Sequence, residues 1–189
     1  MLVAAGCATK NPTVSMNINA SQASSGAADA KNMAATAGFG LFEDTRADKS
    51  RIGVRHHLWG GETPYDVPGS KAGDVVSRVM SEFLKRKGWT KDAGGSPDVT
   101  FSGKILSFSA DAESKVFSTE ITAFTKVVVE ATNNVDGSMV RMTVNGHGRQ
   151  RVFWYDDEDM QALLGETLNK SLEELAGATK VEGRMIRLK

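Results

Sequence analysis

The stretch VRMTVNGHGRQRVFW, residues 140–154, decides how this chain folds. Val140, Met142, Val144, Gly146, Gly148, Val152 and Trp154 fall on one side of an extended segment. Arg141, Thr143, Asn145, His147, Arg149 and Arg151 fall on the other. A period of two with this contrast marks a strand that lays one face on a core and the other in water. The run is longer than most strands, so Gly146 and Gly148 are expected to mark a bend or a bulge.

Two more alternating segments lie upstream. Val99, Phe101, Gly103 and Ile105 alternate with Thr100, Ser102 and Lys104, and Ile121, Ala123, Val127 and Val129 share a face of the next segment. Asn133 to Gly137 carries an Asp-Gly pair and predicts a hairpin turn. Shorter strands are expected around residues 39–42 and 51–54, and a loop over residues 56–70, where Gly60, Gly61, Pro64, Pro68 and Gly69 act as breakers.

Two helices complete the pattern. Over residues 71–87, Val75, Val76, Val79, Met80, Phe83 and Leu84 form one face, with Ser70 placed to cap the start and Gly88 to stop the end. Over residues 156–176, Met160, Leu163, Leu164, Leu168, Leu172 and Leu175 form the buried stripe, and Gly177 is expected to end the helix. The tail is read as irregular or as a short edge strand through Met185, Ile186 and Leu188. One-sided helices and a one-sided meander predict an α+β fold. It is a two-layer sandwich, an antiparallel sheet of about four to five strands with both helices on one face.

Composition narrows the function. The chain carries 23 basic and 23 acidic residues, a balance unlike that of a protein whose task is nucleic-acid binding. A single cysteine excludes an internal disulfide framework and a cysteine-rich zinc site. No segment approaches the run of roughly 18 apolar residues that a membrane-spanning helix needs.

Few residues suggest chemistry. His56, His57 and His147 lack metal-ligand spacing, and adjacent histidines on an extended segment point opposite ways. The acidic residues 156–159 open a helix, where carboxylates suit the positive dipole end. No nucleophile elbow, P-loop or dinucleotide fingerprint is present, so no catalytic residue, metal or cofactor is expected. A binding surface has more support. Phe124 and Val128 on the water-facing side of one strand, with Leu106 and Phe108 of its neighbour, form a candidate partner or lipid contact. The alternative is a bulge near Ile105 that returns Leu106 and Phe108 to the core. Arg141, Arg149 and Arg151 are either an anion-binding stripe or a solvated strand face.

Leu2-Val3-Ala4-Ala5-Gly6 running into Cys7 resembles the lipobox of bacterial lipoproteins, with Ala4 where that pattern usually has Leu. Three elements further on strengthen this likeness. They are Phe83-Leu84-Lys85-Arg86-Lys87-Gly88-Trp89 at a helix end, Pro97-Asp98-Val99, and Phe117-Ser118-Thr119-Glu120 before a valine-rich strand. Together they are similar to the YajG-like envelope lipoproteins, a layout shared with LptE-type and transport-auxiliary lipoproteins. The resemblance implies acylation of Cys7, an outer-membrane anchor and a periplasm-facing, non-enzymatic role. An envelope protein partner and self-association are also implied, as is lipid or glycolipid handling as the alternative. Residues 1–7 then read as the remnant of a signal peptide, residues 8–37 as a flexible tether rich in Ala, Ser, Asn and Thr, and residues 38–189 as one periplasmic domain.

Overall fold

The computed structural model describes residues 13–18, 35–67, 71–91 and 94–189. In chain order these form β1 (Val14–Ser15), β2 (Thr36–Asp44), β3 (Gly53–His56), β4 (Glu62–Asp66) and α1 (Ala72–Arg86). There follow β5 (Thr90–Lys91), β6 (Val99–Lys115), β7 (Ser118–Asn133) and β8 (Met139–Val152). The chain closes with α2 (Asp157–Ala178), β9 (Thr179–Glu182) and β10 (Met185–Leu188).

The three long alternating segments pair as an antiparallel meander, β6 with β7 and β7 with β8. The rest of the sheet differs from the expected architecture. The sheet has eight strands and is mixed: β1–β4, β2–β5, β2–β6 and β3–β6 pair in parallel. An antiparallel sheet of four to five strands is therefore incorrect. Alternation reports which face of a strand is buried, but carries no information on its partner or its direction. Parallel neighbours need a crossover, and α1 lies in the connection between β2 and β6. At 17 residues, β6 is long enough to hold β2 beside its first half and β3 beside its second.

Two segments read as unstructured join this sheet. Within the expected loop over residues 56–70, β4 pairs antiparallel with β3. Pro64 is accommodated because β1 pairs only with Tyr65 and Asp66 on the far side of β4. Within the expected tether, residues 13–18 supply β1 and bury Met16 and Ile18. Ala35 and Ala37 are buried too, and β2 begins at Thr36 rather than near residue 38. The other residues assigned to the tether, and the lipobox itself, lie outside the described residues up to residue 34.

Both helices pack on the face that carries Ile121, Ala123, Val127 and Val129 of β7. Ser70 lies outside the described residues; the Asp74 carboxylate accepts the Lys71 N–H at the start of α1 (3.1 Å). Asp156 caps α2 by accepting from Glu158 N, and the acidic first turn serves the helix end as expected. Gly177 does not end α2, which runs on to Ala178. The tail forms a hairpin of β9 and β10 turning at Gly183-Arg184. Arg184 has a left-handed φ of 67° and reaches Asp98 (Nη2–Oδ2, 3.0 Å).

Gly146 and Gly148 mark no bulge, since the β7–β8 register runs unbroken from Thr119↔Val152 to Thr132↔Met139. They let α2 approach β8: a Cβ on Gly146 would strike Ser171, Thr125 and the Thr167 carbonyl, and one on Gly148 would strike Thr167 and press on Leu163. The bulge is in β6, between Ile105 and Ser107. It switches the buried face from odd to even positions, so Ile105, Phe108, Ala110 and Ala112 all reach the core.

Candidate functional site

The outer face of β6, β7 and β8 carries the residues expected to make a contact. Phe108 is fully buried by the bulge and does not belong to that face. Leu106 and Phe124 are exposed, and Val128 lies on the outer face but is buried, between Lys104 and Thr143 in register. Phe124 leans on His147 across the strands, with ring centroids 4.8 Å apart.

The arginines on this face are answered by carboxylates. Arg141 pairs with Glu130 (3.3 Å). Glu120 receives Lys115 Nζ at 2.7 Å together with Arg149 and Arg151. The Lys115 hydrogen bond, with the Arg149 charge, holds the Glu120 carboxyl below its usual range despite burial. With Glu120 and Glu130 in place, these cations form ladders of ion pairs, not a stripe awaiting an anion.

The three histidines stay apart. His56 pairs with Glu62 (3.1 Å), His57 with the Thr63 hydroxyl (2.8 Å), and His147 packs at a tilt against Phe124. No group of three metal-binding side chains converges among the described residues. A hydrogen-bond chain joins β4 to the start of α2: Tyr155 donates to Tyr65 (3.1 Å), and Tyr65 donates to Asp157 (2.6 Å). Burial, reinforced by the Asp157 carboxylate, pushes Tyr65 up to about 12. Burial and the Tyr65 hydroxyl push Tyr155 upward too, although the Arg55 guanidinium lies 4.0 Å from its ring centre. The two phenols are thus locked neutral, which suits a joint rather than a catalytic base.

An open cleft of about 1070 Å³ runs between α1 and β2, bordered by Phe39, Arg78, Leu84 and Trp89. Arg78 donates to the Ile18 carbonyl (2.7 Å), and Ala37 lines the same cleft.

One end of the sheet was not anticipated. Register places His56 beside Glu113 and Thr119 beside Val152. The β3–β4 turn, the β6–β7 turn and the exit from β8 therefore project from the same end. Those three places carry Leu58-Trp59, Val116-Phe117 and Phe153-Trp154. Trp59, Phe117, Phe153 and Trp154 are 94%, 84%, 78% and 92% exposed, and Leu58 and Val116 are exposed beside them. Trp154, read as the last inward residue of its strand, stands beyond Val152, where β8 has ended. Gly60 and Gly61, at φ of 88° and 89°, close the β3–β4 turn beneath Trp59. The signal available in the sequence was large apolar residues at turn positions, where Gly, Asn, Asp, Pro and Ser prevail.

No family model matches the sequence, and no curated protein matches it. Solved structures do resemble the fold. Protein XCC0632 from Xanthomonas campestris, described by the family model DUF330, superimposes with a TM-score of 0.53 at 11% identity, over 86% of this chain and 90% of that one. An uncharacterized protein gives 0.48 at 8% identity, over 88% and 97%. A PelC dodecamer from Paraburkholderia phytofirmans gives 0.40 at 11% identity, over 88% and 92%. The fold is that of the DUF330 protein, and at this identity the likeness extends to the fold alone.

Proposed function

We propose that this chain is a membrane-anchored, non-enzymatic accessory or scaffold component of a bacterial cell-envelope assembly, tethered through acylated Cys7 and facing the periplasm from the outer membrane. The lipobox-like residues 2–7 and the YajG-like layout support the anchor. The observation that carries the reading furthest is the direction of β1. It runs parallel to β4, and β4 leads away from the β3–β4 turn. The N-terminal end of β1 is therefore directed toward the end of the sheet where the apolar turns project. Only residues 8–12 separate Cys7 from Thr13, a reach of at most about 20 Å. An anchor at Cys7 holds the folded body close to the bilayer rather than clear of it.

The exposed Leu106 and Phe124, with Val128 beneath, are the surface we assign to an envelope protein partner or a second copy. The alternative, a lipid- or glycolipid-binding module, would use the cleft between α1 and β2. That cleft is open, and Arg78, Glu82 and Lys85 share its lining with the apolar residues, which does not favour a lipid tail. Intact mass and membrane fractionation of the protein expressed from its full native gene, beside Cys7→Ser, test the proposal. Acylated protein in the outer-membrane fraction, released to the soluble fraction by the substitution, supports it. Unmodified soluble protein in both cases overturns it.

A further inference from the structure

We infer that the apolar end of the sheet is a second, non-covalent membrane contact. Leu58, Trp59, Val116, Phe117, Phe153 and Trp154 dip into the interfacial zone of a phospholipid bilayer. This inference deepens the membrane-anchored reading, and rests on it for the orientation of the body but not for the contact itself.

Three features of the molecule carry it. The first is placement. The three apolar tips belong to β3–β4, β6–β7 and the end of β8, neighbours in the order β4-β3-β6-β7-β8. Five strands spaced by about 4.8 Å make a row roughly 20 Å wide along one end of the sheet. The second is chemistry. Val116-Phe117 is the whole turn between Lys115 and Ser118, so two large apolar side chains occupy the positions a hairpin normally gives to glycine or asparagine. Residues that break a local rule without a packing gain mark function. Tryptophan and phenylalanine on projecting tips suit the boundary between headgroups and acyl chains.

The third feature is chain direction, which separates a bilayer from other occupants. The N-terminal end of β1 is directed toward this same end, and only residues 8–12 separate Thr13 from Cys7, so acyl chains on Cys7 would be within reach of the surface that the aromatic tips meet. Charge defines the lipid class. Lys115, Arg149 and Arg151 are engaged by Glu120, His56 by Glu62, and residues 156–159 add carboxylates just past Trp154. With no surplus of cations at this end among the described residues, the contact is apolar and suits zwitterionic headgroups; an anionic surface would be no better bound.

The test uses the full chain carrying Cys7→Ser, so that no acyl chain contributes, with vesicles of phosphatidylethanolamine and phosphatidylcholine. Two of the three tryptophans, Trp59 and Trp154, lie at this end, whereas Trp89 is buried in the core and serves as an internal reference. Binding should blue-shift the fluorescence of the exposed pair, and lipids brominated near the headgroup should quench it. Trp59→Ser, Phe117→Ser and Trp154→Ser should each weaken partitioning about tenfold, while 1 M salt leaves it unchanged. All three side chains are exposed, so the variants keep the fold, as circular dichroism and Trp89 emission will report. Wild-type-like partitioning of all three variants, or no quenching at any lipid concentration, overturns the inference. So does a concentration-dependent dimer abolished by the same substitutions, which would make this end an interface between copies. Failure of Cys7 acylation in cells would remove the anchor and leave the vesicle result standing. Vesicle failure with Cys7 acylated would remove only the aromatic contact.

Discussion

Gly148 of β8 lies directly beneath Thr167 of α2, so close that a single added carbon would occupy the space of the Thr167 hydroxyl. Thr167 in turn donates to the Leu163 carbonyl at 2.7 Å, which fixes its hydroxyl over the glycine surface. Gly148→Ala should therefore push α2 off the sheet and cost about 2 kcal/mol. A urea midpoint that falls while the slope is kept is the expected result. An unchanged midpoint would mean that the helix sits farther from β8.

Thr125 and Ser171 share a buried hydrogen bond of 2.7 Å across the same helix–sheet contact. Ser171→Ala should leave the Thr125 hydroxyl without this partner and cost about 1–2 kcal/mol. Replacing both, Thr125→Val with Ser171→Ala, should cost less than the sum of the two single changes. A double-mutant cycle measures the difference.

The protein has two tyrosines; Tyr65 is held neutral by burial and the Asp157 carboxylate, and Tyr155 by burial and the Tyr65 hydroxyl. A raised folded-state pKa stabilises the fold below the ordinary value of 10.0, and that contribution is lost as pH rises towards about 12. Absorbance at the tyrosinate wavelength should thus stay low through the ordinary phenol range and rise together with unfolding. A smooth titration centred near the ordinary value, with the fold intact, would show that the Tyr155–Tyr65–Asp157 chain is open to water.

Acid should act in the opposite sense. Hydrogen bonds from Ser138, then Arg187, hold Asp136 down at about 2 from an ordinary 3.8. Burial of Asp98 favours its neutral form, but the Thr36 N–H and hydroxyl and the Arg184 charge outweigh it, and the net shift is downward. Depressed carboxylates stabilise the fold above their ordinary pKa and lose that contribution as pH falls through the folded value. Stability should therefore decline as pH drops from about 4 towards about 2, and Asp136→Asn should flatten that decline in a series of melting temperatures.

Phe124 is exposed and touches His147 across the strand pair, so Phe124→Asp should leave the melting temperature within a few degrees of wild type. Under the scaffold reading, it should also abolish crosslinking to an envelope partner in cells. Crosslinking that survives with the fold intact would take this patch out of the interface.

The meander was legible in the sequence because each of its strands has one wet face and one dry face, and alternation writes that contrast directly into residues 99–105, 121–129 and 140–144. The helices were legible for the same reason at their own period. The parallel partners of β6 were not. Strands were legible near residues 39–42 and 51–54, but that β2 and β3 lie parallel to β6 depends on crossovers that no local pattern encodes. Strands β1 and β5 have two residues each, too few for a period. The bulge near Ile105 was one of two readings the sequence left open; it does return Phe108 to the core, whereas Leu106, the inserted residue, stays exposed. The aromatic end was hidden differently. Its residues lie far apart in sequence, and only the register of three hairpins brings Trp59, Phe117 and Trp154 to one side of the molecule.

The most direct test of the account is which end of the acylated protein faces the bilayer. Cys7 is the only cysteine, so once its sulfur is acylated an introduced cysteine is the sole free thiol for a spin label. Phe117→Cys marks the aromatic end, and Val135→Cys, exposed in the β7–β8 turn, marks the opposite one. The account predicts that oxygen, which concentrates in lipid, relaxes the label at 117 strongly while a water-soluble nickel complex relaxes the label at 135. Equal exposure of both labels to the nickel complex, or a lipid-facing label at 135, would contradict it.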